Sequence, residues 1–110
     1  MRTLEGYLDL RAGKPGEWVL LSPLSFGEYT VPAGFVTDLA SIPRTVRPLI
    51  DRNGSSRAAS VLHDWLYATQ PVSRKEADGL FLEALEASGV GWVRYAMYCG
   101  VRAGGWVFWK

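Results

Sequence analysis

The sequence predicts a single α+β domain over residues 1–110, in which a small antiparallel β-sheet of about three strands precedes three helices. Three observations support this prediction. The first half alternates short apolar runs with turns rich in glycine and proline, which is typical of strands. The second half carries apolar residues at helical spacing behind capping residues. With 110 residues, 48% of them hydrophobic, the chain can form one core but not two.

The predicted strands follow one another in the first half of the chain. Glu5–Leu10 alternates apolar and polar residues and ends at a turn rich in glycine and proline. Glu17–Leu24 and Phe26–Val31 are rich in the β-branched and aromatic residues that favour strands. Pro23 and Pro32 limit the pairing of these strands, because proline has no amide donor.

Residues 35–43 connect the strands to the helices and show neither a helical nor a strand period. Polar Thr37, Asp38 and Ser41 stand between residues of buried type, so we expect an ordered loop that is held against the core. Asp38 could also cap a helical turn, with Ser41 bonded locally. Both roles of Asp38 are open at this point.

Capping residues and glycines delimit the helices. Ser73 and Glu76 have the spacing of a capping box, and Gly104 with Gly105 permits a break before the C-terminal aromatic residues. The helices are expected to run from Ser55 or Ser56 to about Ala68, from Ser73 to about Ala87, and from about Val90 to Ala103.

Charge and cysteine content exclude several classes of protein. Twelve Lys and Arg against eleven Asp and Glu give a net charge of +1 without a basic patch, which argues against nucleic-acid binding. Cys99 is the one cysteine, so an internal disulfide and a thiolate metal cluster are excluded, and we expect it to lie in the core. Residues 1–13 lack the apolar stretch of a secretory signal, so no signal peptide is expected.

Residues 89–109 are apolar on nearly every side and have about the ~20 residues that span a bilayer. Arg94 and Arg102 lie inside this segment, and a charge at membrane depth is unfavourable by a few kcal/mol. A buried helix of a soluble protein is therefore favoured over a membrane-active or partner-docking tail. Trp106, Phe108 and Trp109 nevertheless form a cluster of large apolar side chains that would be unfavourable in water unless another surface covers them. We therefore expect these three residues to form an interface.

Ionisable residues on the first two helices are the candidates for chemistry. His63 is the only histidine, and Tyr67 lies beside it at i+4. Asp64 lies at the opposite edge of the polar face of the same predicted helix. Asp78 falls inside the apolar arc of the second helix, where a carboxylate must be neutralised, paired or bound to a cation.

Two interpretations of these residues are open. In the first, Arg94 or Arg102 pairs with a buried carboxylate, Asp78 or Asp38, in a structural network. In the second, Asp38, His63 and Asp78 converge in a catalytic site or hold a divalent metal ion. The catalytic candidates are then His63, Asp38, Asp64 and Asp78, and the substrate-binding candidates are Ser41, Tyr67, Tyr98 and Arg102.

Four motifs occur in the chain: residues 34–43 (GFVTDLASIP), 63–67 (HDWLY), 73–78 (SRKEAD) followed by Phe81, and Met97-Tyr98 followed by Val101-Arg102. Together they resemble the signatures of a phage and prophage family catalogued as domain of unknown function 1353 (DUF1353). The resemblance covers roughly Gly6 to Trp106. It implies a bacteriophage or prophage origin, often among virion or lysis genes, but no particular activity.

Two functions are consistent with these observations. One is a small hydrolase that acts on a bacterial envelope polymer through the His and Asp residues. The other is a non-enzymatic structural or adaptor component of a phage tail or baseplate, which contacts other virion proteins. Either would place the protein in the virion or in the cytoplasm of the host bacterium. The two differ in whether the candidate residues meet in an open cleft or in a sealed core.

Overall fold

A computed structural model of the protein describes residues 2–6, 8–38, 42–52 and 56–110, with the side chains of residues 50–52 left out. Within these ranges six short strands precede four α-helices, which confirms the α+β class. The strands are β1 (Leu4–Glu5), β2 (Leu10–Ala12), β3 (Trp18–Leu20), β4 (Leu24–Phe26), β5 (Tyr29–Val31) and β6 (Val36–Thr37). The helices are α1 (Arg47–Arg52), α2 (Arg57–Thr69), α3 (Arg74–Ala87) and α4 (Val93–Gly104), and a 3₁₀ turn, Gly105–Phe108, follows α4.

The described strands form two antiparallel sheets of three strands, where the sequence predicted about three strands in all. One sheet has the order β1-β4-β5 and the other the order β2-β3-β6. The predicted strand Glu5–Leu10 is divided between the two sheets. The predicted strand Phe26–Val31 is instead part of a hairpin in which Phe26 pairs with Tyr29. Gly27 has the positive φ, +58°, that a type II′ hairpin turn requires at its first central position.

The predicted loop of residues 35–43 begins as a strand. β6 pairs with β3, so that Val36 lies opposite Val19 and Thr37 opposite Trp18. Helix α1 follows in a segment for which no element was predicted, and Pro48 is tolerated there because it lies in the first turn. Residues 36–37 of the predicted loop are therefore part of the second sheet, and the first helix begins at Arg47.

Helix α2 lies at the centre of the fold. It packs against α3 and also contacts β4 and β6, while α3 packs against α4. The core between these elements includes Leu20, Phe26, Leu62, Leu66, Phe81 and Met97, all of them without solvent exposure. Side chains that α2 and α3 direct at one another are thus shielded from water.

Helix α4 has one buried face. Met97 and Val101 are its buried residues, and the opposite face is open to solvent. Cys99 lies on that open face, so the prediction that it is a core residue is wrong. Among the described residues, none belongs to a helix with the length and apolar character needed to cross a membrane.

Candidate functional site

Helices α2 and α3 bring the principal candidate residues together. His63 and Tyr67 project from α2 one turn apart, and their ring centroids are 4.3 Å apart, as the i,i+4 spacing predicted. On α3 the capping box is formed, because Ser73 Oγ accepts a hydrogen bond from the amide of Glu76 at 3.1 Å. This cap sets where α3 begins, and Asp78 then lies on its buried face.

The carboxylate of Asp78 accepts hydrogen bonds from all three long helices. Its Oδ1 lies 2.7 Å from His63 Nε2 and 2.7 Å from the hydroxyl of Tyr67, both on α2. Its Oδ2 accepts from Arg102 of α4 at 2.9 Å and from Arg74 of α3 at 3.5 Å. We call these five residues the Asp78 network. Of the two interpretations left open above, the structure confirms the pairing of Arg102 with Asp78.

Burial and hydrogen bonding fix the protonation states in the Asp78 network. The side chains of His63 and Asp78 are 0% exposed. Burial raises the pKa of Asp78, but the hydrogen bonds from His63 and Tyr67 outweigh it and the net pKa lies below the usual range. Burial lowers the pKa of His63, so the imidazole is neutral at neutral pH. Because an ionised carboxylate only accepts, the proton lies on Nε2 and Nδ1 is an acceptor nitrogen.

Tyr67 keeps its proton in this environment. Burial and the hydrogen bond to Asp78 raise the pKa of its hydroxyl well above the usual range. The hydroxyl is therefore a permanent donor to Asp78, and the ring remains uncharged beside His63.

Arg74, a member of the Asp78 network, and Gly105, which lies close to Tyr67, were not among the predicted site residues. Arg74 also donates to the carbonyl oxygens of Val101 at 3.3 Å and Arg102 at 3.2 Å, which joins α3 to the end of α4. A Cβ atom at Gly105 would lie 2.5 Å from the hydroxyl of Tyr67, so only glycine allows the chain to pass this close. The i,i+4 spacing of Arg74 and Asp78 was a sequence signal for Arg74. No local signal in the sequence marked Gly105.

The side chain of Asp38 is exposed to solvent. Strand alternation explains this, because the exposed Val36 and the buried Thr37 are followed by Asp38 on the exposed side. The expectation that Asp38 is held in the core is therefore wrong. Instead, the buried Thr37 faces α2, and its hydroxyl donates to Oδ2 of half-buried Asp64 at 2.6 Å.

The residues predicted as metal ligands are not assembled as a metal site. Among the described residues, no group of three or more His, Cys, Asp or Glu side chains is placed to hold a metal ion. The physical reason is the state of Asp78, whose oxygens accept from four donors and whose charge is balanced by Arg74 and Arg102. A divalent cation would be repelled by these guanidinium groups.

Ser41 and Tyr98 are the remaining substrate-binding candidates. Ser41 lies outside the described residues. Tyr98 is half-buried on α4. Arg94, which was predicted as an alternative partner of a buried carboxylate and not as a substrate-binding residue, donates instead to the carbonyl oxygen of Val90 at 3.1 Å and to the hydroxyl of Tyr95 at 3.1 Å.

The three aromatic residues predicted as an interface differ in their environment. Trp106 is 64% exposed and Phe108 is 37% exposed. Trp109 instead packs against the core, with its ring edge-on to Tyr67 at a centroid distance of 5.1 Å. Trp109 is thus better described as part of the cover over Tyr67.

A cavity of about 380 Å³ lies on the outer side of Tyr67, between α2 and the C-terminal residues. It is lined by Asp64, Tyr67, Ala68, Gln70, Val107, Phe108 and Lys110. Gln70 connects the two sides of the cavity, because its side-chain amide donates to the carbonyl oxygen of Lys110 at 2.7 Å. Tyr67 therefore links the sealed network on one side to an open cavity on the other.

Comparison with known protein families gives a match over most of the chain. Residues 18–101, well over half of the chain, match a family model described as protein of unknown function (DUF1353). The matched range includes His63, Tyr67, Arg74 and Asp78, and it ends one residue before Arg102. No curated protein and no solved structure matches the chain.

Proposed function

The chain belongs to the DUF1353 family, and from this premise we propose that it is a non-enzymatic structural or adaptor protein of a bacteriophage or prophage particle. The observation that carries this proposal is the complete burial of His63 and Asp78 within the Asp78 network. His63 and Asp78, the two groups best suited to acid–base chemistry, have no solvent exposure. A buried polar cluster of this kind fixes the packing of helices.

The geometry of the Asp78 network argues against a catalytic role for it. A general base must come within hydrogen-bond distance of a substrate proton, about 2.6–3.2 Å. Asp78 already accepts from His63 and Tyr67 on one oxygen and from Arg102 and Arg74 on the other. A substrate would have to displace these donors from the interior. The network instead joins α2, α3 and α4 at one point, which is a structural role.

Exposed aromatic residues support the part of the proposal that concerns a particle. Trp106, Val107 and Phe108 follow one another on the 3₁₀ turn and are all at least 37% exposed. Tryptophan and other aromatic residues are enriched among the residues that dominate binding energy in protein interfaces. The four motifs resemble those of phage and prophage proteins. This resemblance supports a phage particle as the assembly with which these aromatic residues would form an interface.

Incorporation into particles tests this proposal. Phage particles are induced from the bacterium that encodes the chain, with an epitope tag on the protein, and are purified by density. We expect the tagged protein in the particles, and we expect Trp106→Ser to reduce its amount. Trp92→Ser is the matched control, because Trp92 is 80% exposed but precedes α4 rather than following it. Absence of the wild-type protein from particles contradicts the proposal.

A hydrolase acting on an envelope polymer is the second candidate, and the cavity beside Asp64 and Tyr67 is the observation that favours it. Here Asp64, not the buried Asp78, would contact the substrate. Release of soluble fragments from purified peptidoglycan by the wild-type protein, lost in Asp64→Asn, would establish this candidate. If the wild-type protein releases none, the non-enzymatic proposal stands.

A further inference from the structure

The solvent side of α4 carries a continuous apolar stripe. The buried residues Met97 and Val101 lie on the opposite side of the helix. At the helical period, the exposed residues of this segment fall within an arc of roughly 100°, and the arc continues into the 3₁₀ turn that follows α4. We call these residues the α4 stripe: Trp92, Tyr95, Ala96, Cys99, Ala103 and Trp106.

Large aromatic rings at both ends of the α4 stripe lie in water. Trp92 is 80% exposed, Tyr95 is 54% exposed and Trp106 is 64% exposed. At roughly 150–250 Å² per aromatic side chain, the exposed parts of these rings amount to about 300–500 Å² in each copy of the chain. Two copies that covered them would bury roughly 600–1,000 Å² before the small residues are added, which reaches the lower end of specific interfaces.

The charge of the α4 stripe favours a second copy of the chain as its partner. Over residues 92–106, all of which the structure describes, the exposed side chains are uncharged. Arg94 donates to the carbonyl oxygen of Val90 in its own chain. Arg102 likewise donates to Asp78. A contact about a two-fold axis uses the same surface on both copies, so a neutral surface avoids repulsion between like charges.

The spacing of the α4 stripe makes it complementary to itself. Trp92 lies seven residues before Cys99, and Trp106 lies seven residues after it. Two antiparallel helices related by a two-fold axis at Cys99 therefore bring Trp92 of one copy level with Trp106 of the other. The same axis places Tyr95 opposite Ala103, a large side chain against a small one. Small residues in the middle of the stripe let the helix axes approach to about 8–10 Å.

We infer that the α4 stripe is the interface of an antiparallel, two-fold homodimer of the free protein, with Cys99 at the axis. The dimer does not rest on the particle role proposed above, in which Trp106 would exchange the second copy for a particle surface. Trp92→Ser removes a ring from the dimer interface but keeps Trp106, so it remains the control for incorporation. The modest area predicts a weak dimer, with a Kd on the order of 10–100 µM.

Sedimentation equilibrium of the full chain under reducing conditions tests the inference. Between about 1 µM and 500 µM, the average mass should rise from one chain to two. Cys99 is exposed, so bismaleimidoethane should cross-link the two copies at the higher concentrations. Lys14→Cys combined with Cys99→Ser moves the thiol to an exposed turn between β2 and β3. This double variant should dimerise but give no cross-linked product.

Charge exchange at Cys99 locates the axis. Cys99→Glu and Cys99→Lys each place two like charges face to face across the axis, so each variant alone should dimerise at least roughly tenfold more weakly. An equimolar mixture of the two should restore dimerisation, because opposite charges then meet, and this recovery also shows that both variants fold. Ala87→Glu, at an exposed position of α3, is the matched control and should leave the Kd unchanged.

Any of three results would overturn the inference. The first is a wild-type protein that stays monomeric at the highest concentration. The second is a Kd that Cys99→Glu leaves unchanged, because the copies would then meet through another surface. The third is growth beyond two chains, because a two-fold contact closes on itself.

Discussion

Nε2 of His63 lies 2.7 Å from Oδ1 of Asp78, in a part of the protein that excludes water from both side chains. The pair is neutral imidazole and carboxylate rather than two full charges, because burial lowers the pKa of His63. The positive charge that balances Asp78 comes from Arg74 and Arg102, which are partly exposed. This division places the negative charge inside and its counter-charges at the surface, and it determines how the protein should respond to mutation and to pH.

Removal of the carboxylate at Asp78 should destabilise the protein severely. In Asp78→Asn the guanidinium groups of Arg74 and Arg102 lose their counter-ion while still partly buried. We expect the free energy of unfolding to fall by about 3–5 kcal/mol, the range for breaking a buried ion pair. Urea denaturation followed by circular dichroism measures it. Glu86→Gln, at an exposed position of the same helix, should change stability by less than about 0.5 kcal/mol. Equal effects of the two substitutions would contradict this account.

Stability should fall in mildly acidic solution because of His63. Burial lowers its pKa in the folded protein below the ordinary value of 6.5, so below about pH 6.5 the unfolded chain binds a proton that the folded chain does not. The free energy of unfolding should therefore decrease by up to about 1.4 kcal/mol per pH unit as the pH falls from 6.5. The pKa of Asp78 is lowered from 3.8 in the same network, so its contribution is lost only in more acidic solution.

His63→Gln is the matched variant for this pH dependence. Glutamine keeps an N–H donor for Asp78 but does not titrate, and the chain has no second histidine. Denaturation of both proteins between about pH 5 and 7 should show a slope in the wild type that is nearly absent in the variant. Parallel profiles would show that His63 does not gain a proton on unfolding.

Two glycines on the helical side of the protein should respond oppositely to alanine. In Gly105→Ala the new methyl group meets the hydroxyl of Tyr67, and a destabilisation of about 1–3 kcal/mol is expected from the resulting shifts. Gly79 lies inside α3 and has no atom within 4 Å of an added Cβ. Gly79→Ala should therefore stabilise the protein by up to about 1 kcal/mol through helix propensity. Thermal denaturation distinguishes the two, and the same sign for both would refute the close approach at Gly105.

Trp109 and Trp106 should differ in their contribution to stability. Trp109 packs on Tyr67, so Trp109→Ala should lower the free energy of unfolding by about 1–2 kcal/mol. Trp106 is 64% exposed, and Trp106→Ala should lower it by less than about 0.5 kcal/mol. Chemical denaturation of both variants is the measurement. A large loss in Trp106→Ala would indicate that this residue supports the fold and is not available to a partner.

Local features of the sequence were sufficient to predict helices α2, α3 and α4, but not the short helix α1. The capping box at Ser73 correctly predicted the start of α3, and α2 ends at Thr69, one residue beyond the prediction. The side-by-side placement of His63 and Tyr67 was also predicted, since it depends only on helical geometry. These features involve residues within about four positions of one another, where backbone geometry alone determines which groups meet.

Tertiary structure alone decided the sheets, the partners of Asp78 and the exposure of Asp38. Leu4 pairs with Phe26, and Arg102 reaches Asp78 from 24 residues away, and no local pattern specifies either contact. Apolar periodicity identified which faces are buried but not which faces meet, because many pairings bury similar apolar area. The sequence by itself thus determined the fold class and the candidate residues, whereas packing determined that His63 and Asp78 lie in a sealed network and Asp64 beside an open cavity.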